Sequence, residues 1–291
     1  GGQISGMKIY VLTDNETESP GILTEHGLSL WIEFGDRRIL FDMGMTDIYR
    51  RNAETMGLNL QTIDYAVISH GHYDHGGGLL DFLEKNPTAP VCVRENAFSP
   101  HESDRGNDGI FDIGIEMPSD EKDKNRIVLT GQEHGIEPGI MLFSVPKLYA
   151  PMPLGNRKLF AKDPDGRRVP DDFMHEQNLL VQKDGISLLV AGCAHRGIPN
   201  ILAWVNERFG VRPDYVIGGF HLSHSADFGE EGKNQLREYG ESLKNSGAIC
   251  YTGHCTGMKS FRKLRKIVGK KLEYAYAGNA INIGNKEKEN E

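Results

Sequence analysis

Cysteine is scarce in this chain. Only Cys92, Cys193, Cys250 and Cys255 occur in 291 residues, and no two have the close spacing of a zinc ribbon. A disulfide framework is excluded, and the expected compartment is the reducing cytoplasm. Long apolar runs are missing as well; none approaches the roughly 18 residues that a membrane helix needs. Positive charge is short: 33 Lys and Arg stand against 41 Asp and Glu, a formal net charge of −8. That balance leaves no footprint for nucleic-acid binding, which wants clustered cations. It leaves room for a small anionic substrate, because a bound metal can dominate its local field. No repeat of fixed short period is present. Gly1 to Gly6 lacks the charged and apolar regions of a signal peptide and reads as residues appended ahead of Met7, the expected natural start.

What is present is an ordinary core-forming composition, 38% hydrophobic and 25% charged. Met7 to Thr13 reads as a strand. Leu28 to Phe34 and Arg38 to Asp42 flank a Gly35-Asp36 turn as a hairpin. Tyr65 to Ser69 is a nearly continuous apolar run, as expected of a strand buried on both faces. Further strands are expected at 89–93, 127–130, 140–145, 178–181, 186–191, 215–217, 249–252 and 272–277. Helices are expected at 48–56, 79–85, 198–209, 233–246 and 260–268. The stretch from Ala150 to Met174, with four prolines and many charges, reads as loop. The expectation is one domain over 7–285, with an insertion at about 96–175 forming a lid or rim and offering a dimer contact.

The strand ending at Ser69 runs directly into His70-Gly71-His72-Tyr73-Asp74-His75. Imidazole and carboxylate are the standard ligands of zinc and its first-row relatives, and four of them fall within six residues. Three histidines and an aspartate at a strand end make a poor core, since each would need a buried polar partner. Gly71 and Gly76 to Gly78 let the backbone turn tightly beside them.

Ser69 to Gly78 resembles the signature of the metallo-β-lactamase superfamily. The likeness continues in Glu25 to Ser29, Ile39 to Gly44, Ala191 to Gly197, Gly218 to Leu222 and Thr252 to Gly257. Together these segments resemble the branch that contains dihydropterin ribofuranosylaminobenzene-phosphate synthase-like proteins. The resemblance implies an α/β fold, an αββα sandwich with one or two divalent metal ions at one edge of its two sheets. Zinc comes first; manganese and iron are alternatives. His70 and His72 would share one metal with a later histidine, Asp74 and His75 would hold the second, and His254 would be the last ligand. The wider family keeps an aspartate near residues 193–195, and this chain has none. His195 is the expected ligand there and Cys193 its runner-up, otherwise standing behind the ligands. His175 or Glu176 is an alternative for the middle ligand. Asp42 should orient a ligand histidine. His221 is read as a catalytic acid or an extra ligand, while His26, His101, His134 and His224 are read as ordinary loop residues.

A metal-activated hydroxide, oriented by Asp74, would attack an ester, with phosphate esters and phosphodiesters the leading class. Arg196 and Lys259, beside the ligand motifs, are candidates for a phosphate oxygen. The rivals are a pterin-pathway synthase on the same metal site, for which Phe98, Phe111, Tyr149, Phe160 and Phe173 offer stacking surfaces, and a metal-dependent sensor without turnover.

Overall fold

The computed structural model describes residues 6–284; residues 1–5, most of the expected appended segment, and 285–291, with the charged tail at 286–291, lie outside the described residues. Two seven-stranded sheets pack face to face. The first runs Ala280–Ile283, Met7–Thr13, Ser29–Phe34, Arg37–Phe41, Tyr65–Ile68, Val91–Arg94, Ile127–Thr130. The second runs Leu272–Tyr274, Ile249–Thr252, Tyr215–Gly218, Ile186–Val190, Asn178–Lys183, Ile140–Phe143, Glu133–Glu137.

Alternation along the strands builds three apolar layers. Ile9, Val11, Leu30 and Ile32 face Leu179, Val181, Leu188 and Val190 between the sheets. Leu12, Trp31, Leu40 and Ile68 turn outward, onto Tyr49 and Ala53 of the helix Ile48–Thr55 and Phe82 and Leu83 of the helix Leu79–Lys85. On the other flank Leu180, Leu189 and Val216 meet the helices Ile198–Phe209, Gly229–Ser246 and Met258–Val268. This is the expected αββα order. Among the described residues no helix is long and apolar enough to cross a membrane.

The expected insertion at 96–175 is divided. Its strands Ile127–Thr130, Glu133–Glu137 and Ile140–Phe143 belong to the main sheets. Only two separated pieces depart from them. His101–Asp104 and Ile110–Asp112 join Leu159–Lys162 and Arg168–Pro170 in a small antiparallel sheet. Part of the stretch read as loop over 150–174 is therefore strand. Leu159–Lys162 pairs with His101–Asp104, about sixty residues earlier, and carries Arg168–Pro170 on its other edge, a pairing that local pattern does not reveal.

What positions the site is strand direction. Arg37–Phe41 and Tyr65–Ile68 run parallel in the first sheet, and Ile186–Val190, Tyr215–Gly218 and Ile249–Thr252 run parallel in the second. Their carboxyl ends lead into Asp42, Ser69-His70, Cys193 to His195, His221 and His254 respectively. Side chains at such ends converge outside the sheet edge, where open α/β sheets bind their ligands.

Candidate metal centre

The backbone bends sharply to bring these side chains inward. Asp42, Ala194, His221 and His254 take positive φ of 63°, 51°, 50° and 47°. Non-glycine residues adopt that region at a cost of about 1–3 kcal/mol, and such strain clusters at functional sites. Two glycines are obligatory by space. A methyl on Gly71 would lie 2.0 Å from the Ala97 carbonyl oxygen, and one on Gly192 would lie 2.1 Å from Ser69 Oγ.

Two donor sets result. The ligand-capable atoms of His70, His72 and His195 lie within 4.8 Å of one another, as do those of Asp74, His75, Cys193 and His254. All these residues are buried. In the first set, Nε2 of each histidine is buried and has no hydrogen-bond partner. Three orphaned imidazole nitrogens aimed at one point is a costly arrangement unless a cation fills it. In the second set His75 Nε2 stands 3.0 Å from Cys193 Sγ and 3.1 Å from His254 Nε2, and His254 Nε2 stands 2.9 Å from Asp74 Oδ2. A zinc tetrahedron with bonds near 2.0–2.1 Å has edges of about 3.3 Å, so the spacing fits a shared cation.

The far side of the His70, His75, His195 and His254 rings orients them. Asp42 accepts from Ser69 N at 2.7 Å, Ser69 Oγ at 2.7 Å and His75 Nδ1 at 2.6 Å. Because the Ser69 hydroxyl spends its proton on Asp42, its oxygen accepts from His70 Nδ1 at 2.8 Å. Asn156 donates to the His195 carbonyl oxygen, so its Oδ1 accepts from His195 Nδ1 at 2.9 Å. Asn15 Oδ1 likewise accepts from His254 Nδ1 at 2.8 Å. His70, His195 and His254 thus turn an unprotonated Nε2 toward the donor cluster, as metal ligation requires.

Electrostatics agree. Burial holds His70, His72 and His195 well below the usual imidazole range, keeping their lone pairs free. Burial would push Asp74 up, but His75, His254 and His26 outweigh it and hold the carboxylate well below its ordinary value. His75 is desolvated too, yet Asp74 and Asp42 raise it well above the ordinary imidazole range. A cation bound at Nε2 beside Asp74 takes the place of the second proton, while Nδ1 stays paired with Asp42.

Every expected ligand is therefore brought to one place, with three adjustments. Cys193, expected behind the ligands, has its sulfur inside the second donor set. The alternatives His175 and Glu176 are used otherwise: Glu176 accepts from the backbone amides of His195 and Arg196 at 2.7 and 3.1 Å. His175 groups with His72 and Asp171 within 4.8 Å, but its Nδ1 accepts from the Gly71 amide at 3.0 Å and its Nε2 meets Asp171 at 2.9 Å, so both ring nitrogens are engaged. Both shape the loops that carry ligands. Arg196 is not free for substrate, since its guanidinium donates to the carbonyl oxygens of Val145 and Asp172, and Lys259 is exposed and does not line the cavity beside the cluster.

Other residues join that the sequence did not point to. His26 Nε2 lies 3.3 Å from Asp74 Oδ2, and His101 Nδ1 donates to the Gly71 carbonyl oxygen. Neither is an ordinary loop histidine; Glu25-His26-Gly27 in the resembling motif was the available signal. His224 lines the cavity, whereas His134 lies in the strand Glu133–Glu137.

The cluster opens into a cavity of about 650 Å³. His72, Asp74, Cys193, His195 and His221 form its floor, and Arg105 and Lys158 come from the region of the small sheet. Both ring nitrogens of His221 are buried without a partner, and its ring centre is 4.3 Å from that of His195. None of Phe98, Phe111, Tyr149, Phe160 and Phe173 lines the cavity; Phe173 is stacked on His195 at 4.2 Å.

A family model described as the metallo-beta-lactamase superfamily matches residues 24–209. An uncharacterized protein of Methanocaldococcus jannaschii is 29% identical over 279 residues, covering 94% of this chain and 100% of that one. A second protein of the same organism, named 7,8-dihydropterin-6-methyl-4-(beta-D-ribofuranosyl)-aminobenzene-5'-phosphate synthase, is 29% identical over 301 residues, covering 96% and 98%. A crystal structure described as a metal-dependent hydrolase of the beta-lactamase superfamily superposes with a TM-score of 0.80 at 28% identity, covering 96% of this chain and 100% of that one.

Proposed function

The chain belongs to the metallo-beta-lactamase superfamily, and from that premise we propose that it is a metal-dependent hydrolase of phosphate esters, phosphodiesters foremost. The observation that supports this most is the pair of adjoining donor sets on the floor of one cavity. His70, His72 and His195 would hold one divalent cation and Asp74, His75 and His254 a second, zinc first. Bound there, such cations lower the pKa of water and polarise an ester oxygen.

The chain's own residues supply the rest. Asp74, held ionised, orients the attacking water through its free oxygen while it helps to bind metal. His221, which lines the cavity and has both ring nitrogens unpartnered among the described residues, gives a proton to the departing oxygen. Arg105 complements an anionic substrate at the wall, and Lys158, whose exposed pairing with Asp227 at 3.3 Å an anion can replace, adds to it, the role expected of Arg196 and Lys259. The small sheet carrying Arg105 makes the rim that decides which esters enter. The partner is a small anionic molecule, the location proposed is cytoplasmic, and neither nucleic acid nor membrane takes part.

The second reading is a pterin-pathway synthase on the same metals, favoured by the name of one relative that matches 96% of the chain. A panel of phosphate mono- and diesters, thioesters and reduced pterins separates the two. Diester turnover is expected. In His221→Ala, turnover should fall by about 10²-fold, within the range for a lost acid, with metal content unchanged. Equal losses of metal and turnover would make His221 a ligand instead. Turnover of pterins alone would overturn the hydrolase reading.

A further inference from the structure

Cys193 occupies the corner common to the whole cluster. Its sulfur belongs to the set of Asp74, His75 and His254 and also groups with His195 and His221. It lies 3.0 Å from His75 Nε2, whose ring meets Asp42 through Nδ1 at 2.6 Å on the far side. The residue is 3% exposed. The second thiol nearby, Cys255, is differently placed. Its sulfur accepts from the His221 amide at 3.3 Å, contacts the Cys193 carbonyl oxygen at 3.7 Å, and falls in none of the donor groups.

An aspartate at this corner would give a hard, all-oxygen-and-nitrogen centre. Sulfur changes the preference, because thiolates favour zinc and iron over manganese and magnesium. Resting on the metal-centre reading above, we propose that Cys193 is a thiolate ligand at the corner between the two cation positions and makes the centre selective for thiophilic metals. Binding exchanges one proton for one metal–sulfur bond: the Cys193 thiol loses its proton to solvent as the cation enters, with no change of oxidation state. Gly192 places the thiol there, since no side chain fits between it and Ser69.

The test is titration of the metal-free protein with cobalt(II), followed by optical absorption. The wild-type chain and Cys255→Ser should show the visible ligand-field bands together with a near-ultraviolet sulfur-to-cobalt charge-transfer band. Cys193→Ser should keep the former and lose the latter. Cys193→Asp should weaken zinc binding relative to manganese by about tenfold or more, since even partners behind the ligands are worth 10–100-fold. Ligand-field bands in the wild type with no charge-transfer band would overturn the thiolate ligand and leave the metal centre standing. A charge-transfer band lost in Cys255→Ser but kept in Cys193→Ser would overturn the assignment to Cys193. No cobalt uptake at all would overturn the metal centre, and this inference with it.

Discussion

Replacing His72 with alanine should strip one cation from the protein and lower turnover by about 10²–10³-fold or more, the loss that follows removal of a principal electrostatic group. The fold should survive. The His72 imidazole nitrogen Nε2 has no partner among the described residues, and the backbone of residue 72 keeps its bonds with His70, His75 and Gly76 in any variant. His70 and His195 would remain, but two nitrogens make an incomplete site. Elemental analysis, circular dichroism and ester turnover on the same sample decide it. Full metal occupancy with unchanged turnover would remove His72 from the centre.

The second large effect is expected at Asp42, which never reaches the cavity. Its carboxylate, 0% exposed, accepts three hydrogen bonds, from the amide and hydroxyl of Ser69 and from His75 Nδ1. Asparagine is the informative replacement, because it tolerates the positive φ of 63° that Asp42 adopts. The side-chain shape and backbone are kept, and only the hydrogen-bonding pattern changes. An amide has one accepting oxygen, so its nitrogen must face a donor. Each stranded donor costs about 1–3 kcal/mol. If His75 responds by moving its proton to Nε2, it can no longer bind metal. If Ser69 responds, His70 loses the acceptor that fixes its ring. Asp42→Asn should therefore lower the unfolding temperature of the metal-free protein and weaken zinc binding by about 10–100-fold. Calorimetry and competition with a zinc chelator read the two effects separately. An unchanged zinc affinity would show that Asp42 supports the fold alone.

The two positions mark what could be read from sequence. His70, His72, Asp74 and His75 were legible from their type and spacing because the ligands are contiguous. Asp42, His195, His221 and His254 were legible because each follows a strand in a segment that resembles the family. The main strands were legible too, since those buried on both faces read as apolar runs. What stayed hidden depends on distance in the chain. Asn15 and Asn156 fix the tautomers of His254 and His195 from 239 and 39 residues away, and no local pattern marks an asparagine for that work. His101 is a single histidine in a polar stretch, indistinguishable in sequence from the peripheral His134, and His26 is marked only by the motif around it. The small sheet was missed for a related reason. Ile110–Asp112 is exposed throughout, and Arg168–Pro170 is three residues long, so neither shows an apolar face. The corner at Cys193 was ambiguous because a buried thiol and a ligand thiol look alike in sequence. Only the 3.0 Å approach to His75 separates them.

The central claim is that two adjoining donor sets bind divalent metal. Elemental analysis of the protein purified without added metal tests it most directly. The account predicts close to two equivalents per chain, zinc foremost, falling in His72→Ala. Protein that carries no stoichiometric metal, and takes up none when offered zinc, would contradict it.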